Sequence, residues 1–227
     1  MEETITLGGR TVRLLGSDAP AFMLIQPVDE HDGELLGSEV SQLSGLTAQP
    51  FVLAALRTRD WNAELSPWPA PPVLGKEGFA GGAGGTLAFL RGELLPALRQ
   101  RFSGGPKTVL GGYSLAGLFA LWAARECGAF EGVAAASPSV WYPEWEAYTA
   151  AHPMHARCVY LSLGDREEHT RNPVMARVGD RIRGEAALLR RELGDDACLM
   201  EWNEGNHFKD SDGRTARAFA WVLSRLG

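Results

Sequence analysis

Cysteine is scarce in this chain, positive charge falls short of negative, and no apolar run is long. Each shortage removes a class of function. The three cysteines, Cys127, Cys158 and Cys198, are odd in number and far apart, with no C-x-x-C pair, which suits neither a disulfide framework nor a zinc site. They read as small buried apolar residues. Lysine and arginine total 22 against 28 aspartates and glutamates, a formal net charge of −6, and nowhere form a basic run. Such a chain cannot neutralise a row of phosphates, so no nucleic-acid partner is expected. The longest apolar stretches, such as residues 51–56 and 133–136, fall far short of the ~20 residues a membrane helix needs, so no membrane is expected either. Met1 leads into Glu2-Glu3-Thr4 with no apolar core behind it. That does not support a cleaved signal peptide, and a cytoplasmic location is the expectation.

What is present is an ordinary globular composition, 45% hydrophobic and 22% charged over 227 residues. It predicts one domain, residues 1–227, with a substantial core. No internal repeat is visible. From residue 51 onward, strand and helix patterns alternate. Leu87, Leu90, Leu94, Leu98 and Phe102 recur at helical spacing, and Thr108-Val109-Leu110 is a short apolar strand ending at Gly111-Gly112. Residues 115–126 read as a buried helix, 132–136 as a strand broken by Ser137-Pro138, and 157–163 as a further strand. Asn172-Pro173 offers a capping side chain followed by proline, the start of a helix running to Leu193. Residues 197–203 form the last predicted strand and 215–226 a closing amphipathic helix. This alternation predicts a parallel sheet covered by helices on both faces. Upstream, 22–25 and 51–56 read as strands, 29–50 stays open between helix and loop, and the glycine-rich 75–85 reads as an irregular connection.

The stretch that carries chemistry is Gly111-Gly112-Tyr113-Ser114-Leu115-Ala116-Gly117-Leu118, between a predicted strand and a predicted helix. A serine at so sharp a turn is forced into strained backbone angles, and small residues two before and two after it let strand and helix pass closely. Its hydroxyl then stands above the sheet. The helix behind it supplies free N–H groups and a positive dipole end, suited to an oxyanion. The pattern is G-x-S-x-A, one methyl group away from the usual G-x-S-x-G.

A serine hydroxyl needs a base to become a nucleophile at neutral pH. Of the five histidines, His31, His152, His155 and His169 fall in polar or charged connections. His207 follows the final strand and the turn Glu204-Gly205-Asn206, where the base belongs in the order serine, acid, histidine. The acid should end the strand between them, and that strand runs into Gly164-Asp165-Arg166-Glu167-Glu168. Spacing alone does not choose among Asp165, Glu167 and Glu168. The oxyanion hole should combine the Leu115 backbone N–H with a donor from the loop after the strand 51–56, for which Arg57 is the nearest polar residue and Arg59 the alternative. Trp61, Trp68, Trp141, Tyr142 and Trp145 fall in loops that follow strands, where α/β folds place their ligands.

From Asp60 to the C-terminus the chain resembles the esterase family of α/β-hydrolases that includes enterochelin esterases, S-formylglutathione hydrolases, feruloyl esterases and mycolyltransferases. The resemblance is carried by Glu64-Leu65-Ser66-Pro67, Glu93-Leu94-Leu95-Pro96, Gly112 to Leu118, Phe130 through Ser137-Pro138-Ser139-Val140-Trp141, Gly164-Asp165-Arg166-Glu167 and Gly205-Asn206-His207. It implies an α/β-hydrolase fold and a serine esterase for a small-molecule ester, with neither metal nor organic cofactor. The family's acid commonly sits in a G-x-x-D/E turn, which selects Glu167 and leaves Asp165 and Glu168 as reserves. The N-terminal third lacks a clear match to the family's opening strands, so a sheet shortened at that edge is expected. Acyl transfer or thioester cleavage would use the same residues, and a non-catalytic binding protein could share the fold.

Overall fold

The computed structural model describes every residue of the chain except Leu74. It opens with β1 (Glu2–Leu7) and β2 (Arg10–Gly16), an antiparallel hairpin. Gly8 and Gly9 close it at φ 52° and 73°, the positive angles that let a two-residue turn match the twist of its strands. The sheet is therefore not shortened at this edge. Val12 and Leu14 point into the core from β2, and β2 pairs antiparallel with β4 (Phe51–Arg57).

Between them in sequence lie β3 (Phe22–Val28) and α1 (Glu30–Leu46). The open segment 29–50 is thus mostly helix. Asp29 caps it by accepting the Asp32 N–H at 2.8 Å, and Leu36 and Leu43 face inward. A short α2 (Trp61–Leu65) and a two-residue hairpin, β5 (Pro69–Ala70) with β6 (Phe79–Ala80), follow β4. The helix expected from Leu87 begins earlier, as α3 (Ala83–Phe89), so the glycine-rich connection 75–85 is irregular only in its first part. It widens into a π turn at Leu90–Leu94 before α4 (Leu95–Arg101). Pro96 is the physical reason: it has no N–H to give, and its ring crowds the carbonyl four residues back, which the wider turn relieves.

The remaining elements alternate strictly: β7 (Lys107–Tyr113), α5 (Leu115–Glu126), β8 (Gly132–Ala136), α6 (Trp145–Ala151), β9 (Cys158–Gly164), α7 (Val178–Leu193), β10 (Cys198–Asn203) and α8 (Ser211–Leu226). Asn172 does cap, accepting the N–H groups of Val174 and Met175 at 3.0 and 3.2 Å. What it caps is a single 3₁₀ turn, Met175–Arg177, and α7 proper starts at Val178.

Among the described residues, eight of the ten strands form one sheet in the order β1-β2-β4-β3-β7-β8-β9-β10, parallel from β4 to β10. This is the α/β-hydrolase fold. One face packs against α3, α4, α5 and α7 through residues such as Leu98, Phe119 and Ile182; the other packs against α1 and α8 through Leu36, Phe219 and Val222. Cys158 and Cys198 are buried and Cys127 partly so. Among the described residues no helix is long and apolar enough to cross a membrane.

Candidate active site

Ser114 occupies the turn between β7 and α5 at φ 56° and ψ −119°. A non-glycine residue pays for such angles in strain, and the surroundings hold it there. Its N–H donates to Ala136 O at 3.0 Å, and its own carbonyl accepts from Leu118 at 3.1 Å and Ser139 at 3.1 Å. Gly112 (φ 156°) allows strand and helix to touch, since a Cβ there would lie 2.6 Å from Cβ of Ala116. The methyl group of Ala116, where the usual motif has glycine, is accommodated fully buried.

Above the turn, Ser114 Oγ stands 3.0 Å from His207 Nε2, and His207 Nδ1 stands 2.7 Å from Glu167 Oε2. The three side chains come from segments that follow β7, β9 and β10, all in the parallel part of one sheet, with β8 between β7 and β9. The competing acids are held elsewhere. Asp165 Oδ1 accepts the Gly205 N–H at 2.8 Å, and Glu168 forms a two-pronged pair with Arg183 at 2.9 and 3.0 Å.

The other oxygen of Glu167 is enclosed by donors. Oε1 accepts from Gly164 N–H at 2.7 Å, Ser137 Oγ at 2.8 Å and Arg214 at 3.1 Å. Burial on its own would push this carboxyl upward; the bonds from His207, Gly164 and Ser137 outweigh it and hold the group below the ordinary glutamate value. Glu167 is thereby kept ionised beside the imidazole.

Arg214, fully buried on α8, ties the site together. One guanidinium nitrogen donates to the Tyr113 hydroxyl at 2.9 Å, Ser137 Oγ at 3.2 Å and Glu167; the other donates to the carbonyls of Glu204 and Asn206 at 3.1 and 3.2 Å. Tyr113 in turn donates to His207 O at 2.9 Å. The loop that carries the histidine and the turn that carries the acid therefore share one cation. Sequence reasoning missed Arg214, although a signal was there: it recurs with Ala218 and Val222 at four-residue spacing, a charge on the apolar stripe of an amphipathic helix. In the sequence the Ser137-Pro138-Ser139 turn marks a strand break and carries part of the resemblance, with no role assigned to either serine. Ser137, at φ 42°, orients Glu167, while Ser139 Oγ lies 3.4 Å from Ser114 Oγ.

A cavity of about 650 Å³ opens over the serine. Its wall includes Leu115, whose N–H, first in α5, has no intrahelical acceptor. Trp61 and Trp141 also line it, whereas Trp68 packs edge-on against Tyr142 and stacks on Trp145, away from the wall. Arg57 does not reach the cavity. It is exposed at the end of β4 and faces Glu30 at 3.6 Å, because the first turn of α1 lies beside that strand end. The guanidinium of Arg59 turns to the Gly9 carbonyl. The N–H groups of Thr58, Arg59 and Asp60 are also taken, the first by Val28 O and the other two by Glu64 Oε1. From this loop it is Trp61 and Asn62 that border the cavity. Among the described residues no cluster of histidine, cysteine, aspartate and glutamate could hold a metal ion.

A family model described as putative esterase matches residues 60–190, more than half of the chain. No curated protein matches. Among solved structures, an IroE-like serine hydrolase from Shewanella oneidensis superposes with a TM-score of 0.80 at 15% identity, covering 100% of this chain and 81% of that one. The siderophore hydrolase EstB of Aspergillus nidulans gives 0.73 at 17% identity over 99% and 95% of the two chains. The enterobactin esterase FES from Shigella flexneri gives 0.67 at 19% identity, over 100% of this chain and 60% of that one. At these identities the likeness is one of fold.

Proposed function

The chain belongs to the putative esterase family and is a serine esterase, and from that premise we propose that it cleaves a small carboxylic ester through an acyl-serine intermediate, using Ser114, His207 and Glu167. The observation that carries this reading is the unbroken line of hydrogen bonds from Ser114 Oγ through both imidazole nitrogens to a buried carboxylate. In the resting site Glu167 holds the proton of His207 on Nδ1, leaving Nε2 free to accept. Ser114 Oγ attacks the ester carbon and its proton passes to Nε2. The charge that develops on the carbonyl oxygen is met by the Leu115 N–H and the positive end of α5. When the tetrahedral adduct collapses, the bond to the alcohol oxygen breaks and that oxygen takes the proton from Nε2. Water repeats the cycle on the acyl-serine, releasing the carboxylic acid and restoring the hydroxyl. No metal or organic cofactor enters these steps. The three unpaired cysteines are compatible with the reducing cytoplasm, the location we propose.

A fluorophosphonate probe tests the nucleophile. Intact protein should gain one adduct, mapped to the peptide holding Ser114, and Ser114→Ala should gain none while keeping its melting temperature. Labelling at another residue would remove Ser114 from the role. For the acid, Glu167→Gln should lower kcat by a factor on the order of the 10⁴ known for the serine-protease aspartate, with Glu168→Gln near wild type. Mild effects in both, with a severe loss in Asp165→Asn, would move the acid to Asp165.

A further inference from the structure

The turn that follows β9 carries five ionisable side chains in a row, Asp165 to His169, and the structure sorts them by sign. The acids hold the turn in place: Asp165 binds Gly205, Glu167 binds His207 and Arg214, and Glu168 binds Arg183. The cations do not. Neither the Arg166 guanidinium nor the His169 ring has a hydrogen-bond or ion-pair partner among the described residues, and both residues belong to the wall of the cavity over Ser114. Their backbone is fixed all the same, with the Arg166 N–H on Gly205 O at 3.1 Å and the His169 N–H on Arg166 O at 3.2 Å. Glu204, an acid that feels the charge of Arg166, is itself paired with Lys209 at 2.8 Å.

Most of the remaining wall is apolar, with Trp61, Phe79, Trp141, Met175 and Phe208 prominent. Among the described residues Arg166 is thus the one permanent charge on the cavity wall without an ionic partner. An unpaired guanidinium over an apolar pocket favours an oxyanion, which it can grip with two donors. Its position also says which part of the substrate it meets. Arg166 adjoins Glu167 and is bonded to Gly205 of the histidine loop, so it stands on the imidazole flank of the serine. The alcohol oxygen must come to His207 Nε2 for its proton, so the alcohol part lies along that flank.

We propose that the preferred substrates are esters whose alcohol part carries an anionic group, a carboxylate or phosphate, bound by Arg166 with His169 beside it. This rests on the esterase reading of the site and goes on to name the substrate class. Two matched esters test it, 4-acetoxybenzoate and its neutral counterpart 4-acetoxybenzamide, each kcat/KM divided by the rate of hydroxide-catalysed hydrolysis. A second pair, monophenyl succinate against phenyl butyrate, places the charge on the acyl side instead.

The wild type should favour 4-acetoxybenzoate over the amide by about tenfold, the worth of one charge-assisted contact. That preference should shrink as salt is added. Arg166→Gln should bring the ratio near one and remove its salt dependence, with Arg166→Lys in between. A wild-type ratio near one, a ratio unchanged in Arg166→Gln, or a preference confined to monophenyl succinate would overturn the proposal. If the neutral ester is cleaved and the fluorophosphonate probe attaches to Ser114 in both proteins, such a result sinks the anion site alone. If the folded wild type neither labels nor hydrolyses any of the esters, the esterase reading falls and the proposal with it.

Discussion

Arg214 never meets the reacting atoms, yet it touches more of the site than any of them. It neutralises Glu167 from behind, fixes Ser137 and Tyr113, and holds two carbonyls of the loop that presents His207. Replacing it by methionine keeps the volume and removes five donations, leaving Glu167 as a buried carboxylate with a diminished partner set. Breaking a buried pair from one side costs about 3–5 kcal/mol, so Arg214→Met should melt well below wild type. Below its melting temperature, kcat should fall more than KM rises, because the histidine loop loses its anchor while the cavity wall keeps its shape. A variant with normal kcat would show that the loop is positioned without it. At this scale the sequence was unevenly legible. Ser114 and His207 could be read from their places after a strand. The acid could not, because three carboxyls share one turn and regular geometry ends at Gly164, so only the resemblance singled out Glu167. Arg57 misled because the residue nearest a strand end in sequence faced α1 and not the cavity.

Among the elements, the strongly periodic ones were readable and the diluted ones were not. The leucine spacing announced the helix at 87–102, but not the π turn forced by Pro96. The helix α1 was hidden by Gly33, Gly37 and Gly45, which thin its apolar face. Its unusual feature is Glu39, 3% exposed, whose one side-chain partner is the Gln26 amide on β3 at 3.1 Å. Its Oε1 and that of Gln26 have no hydrogen-bond partner. Burial pushes this carboxyl up to about 8, with Asp32 and Asp212 adding to the rise and the Gln26 bond opposing it. The folded chain therefore holds a proton that the unfolded chain, near 4.5, gives up. The sign follows directly: the contribution is complete below about 4.5 and is lost as pH rises through about 8. It amounts to at most about 5 kcal/mol. Relative to wild type, Glu39→Gln should gain stability steadily from about pH 5 to about pH 8 in urea titrations and level off above it, since glutamine has no proton to lose. Parallel pH curves for the two proteins would show that Glu39 titrates normally.

In the whole molecule, the sheet does what no single element could, bringing residues 114, 167 and 207 from three strand ends to one point. The alternating pattern from residue 51 made that architecture legible. The hairpin β1–β2 escaped, although Gly8-Gly9 between two polar-apolar runs is a turn signal, because it is an antiparallel edge outside the resembling region. The same convergence has a cost written in the backbone. Ser114 at φ 56° and Ser137 at φ 42°, two of the four non-glycine residues with positive φ among the described residues, both belong to the site, and strained angles of this kind cost of order 1–3 kcal/mol each. The rest of the fold supplies that energy, so relieving the strain should stabilise the entire chain. Glycine adopts the angles of Ser114 freely, against an entropic penalty of about 0.5–1 kcal/mol in the unfolded state. Ser114→Gly should therefore melt above Ser114→Ala, which removes the same hydroxyl but keeps the strained Cβ. A net gain of about 1 kcal/mol corresponds to roughly 2–4 °C for a chain of this size. Both variants lack the hydroxyl of Ser114, so differential scanning calorimetry of the pair isolates the backbone from the chemistry. Equal melting temperatures would mean that the turn holds Ser114 without strain, and that the elbow costs the fold nothing.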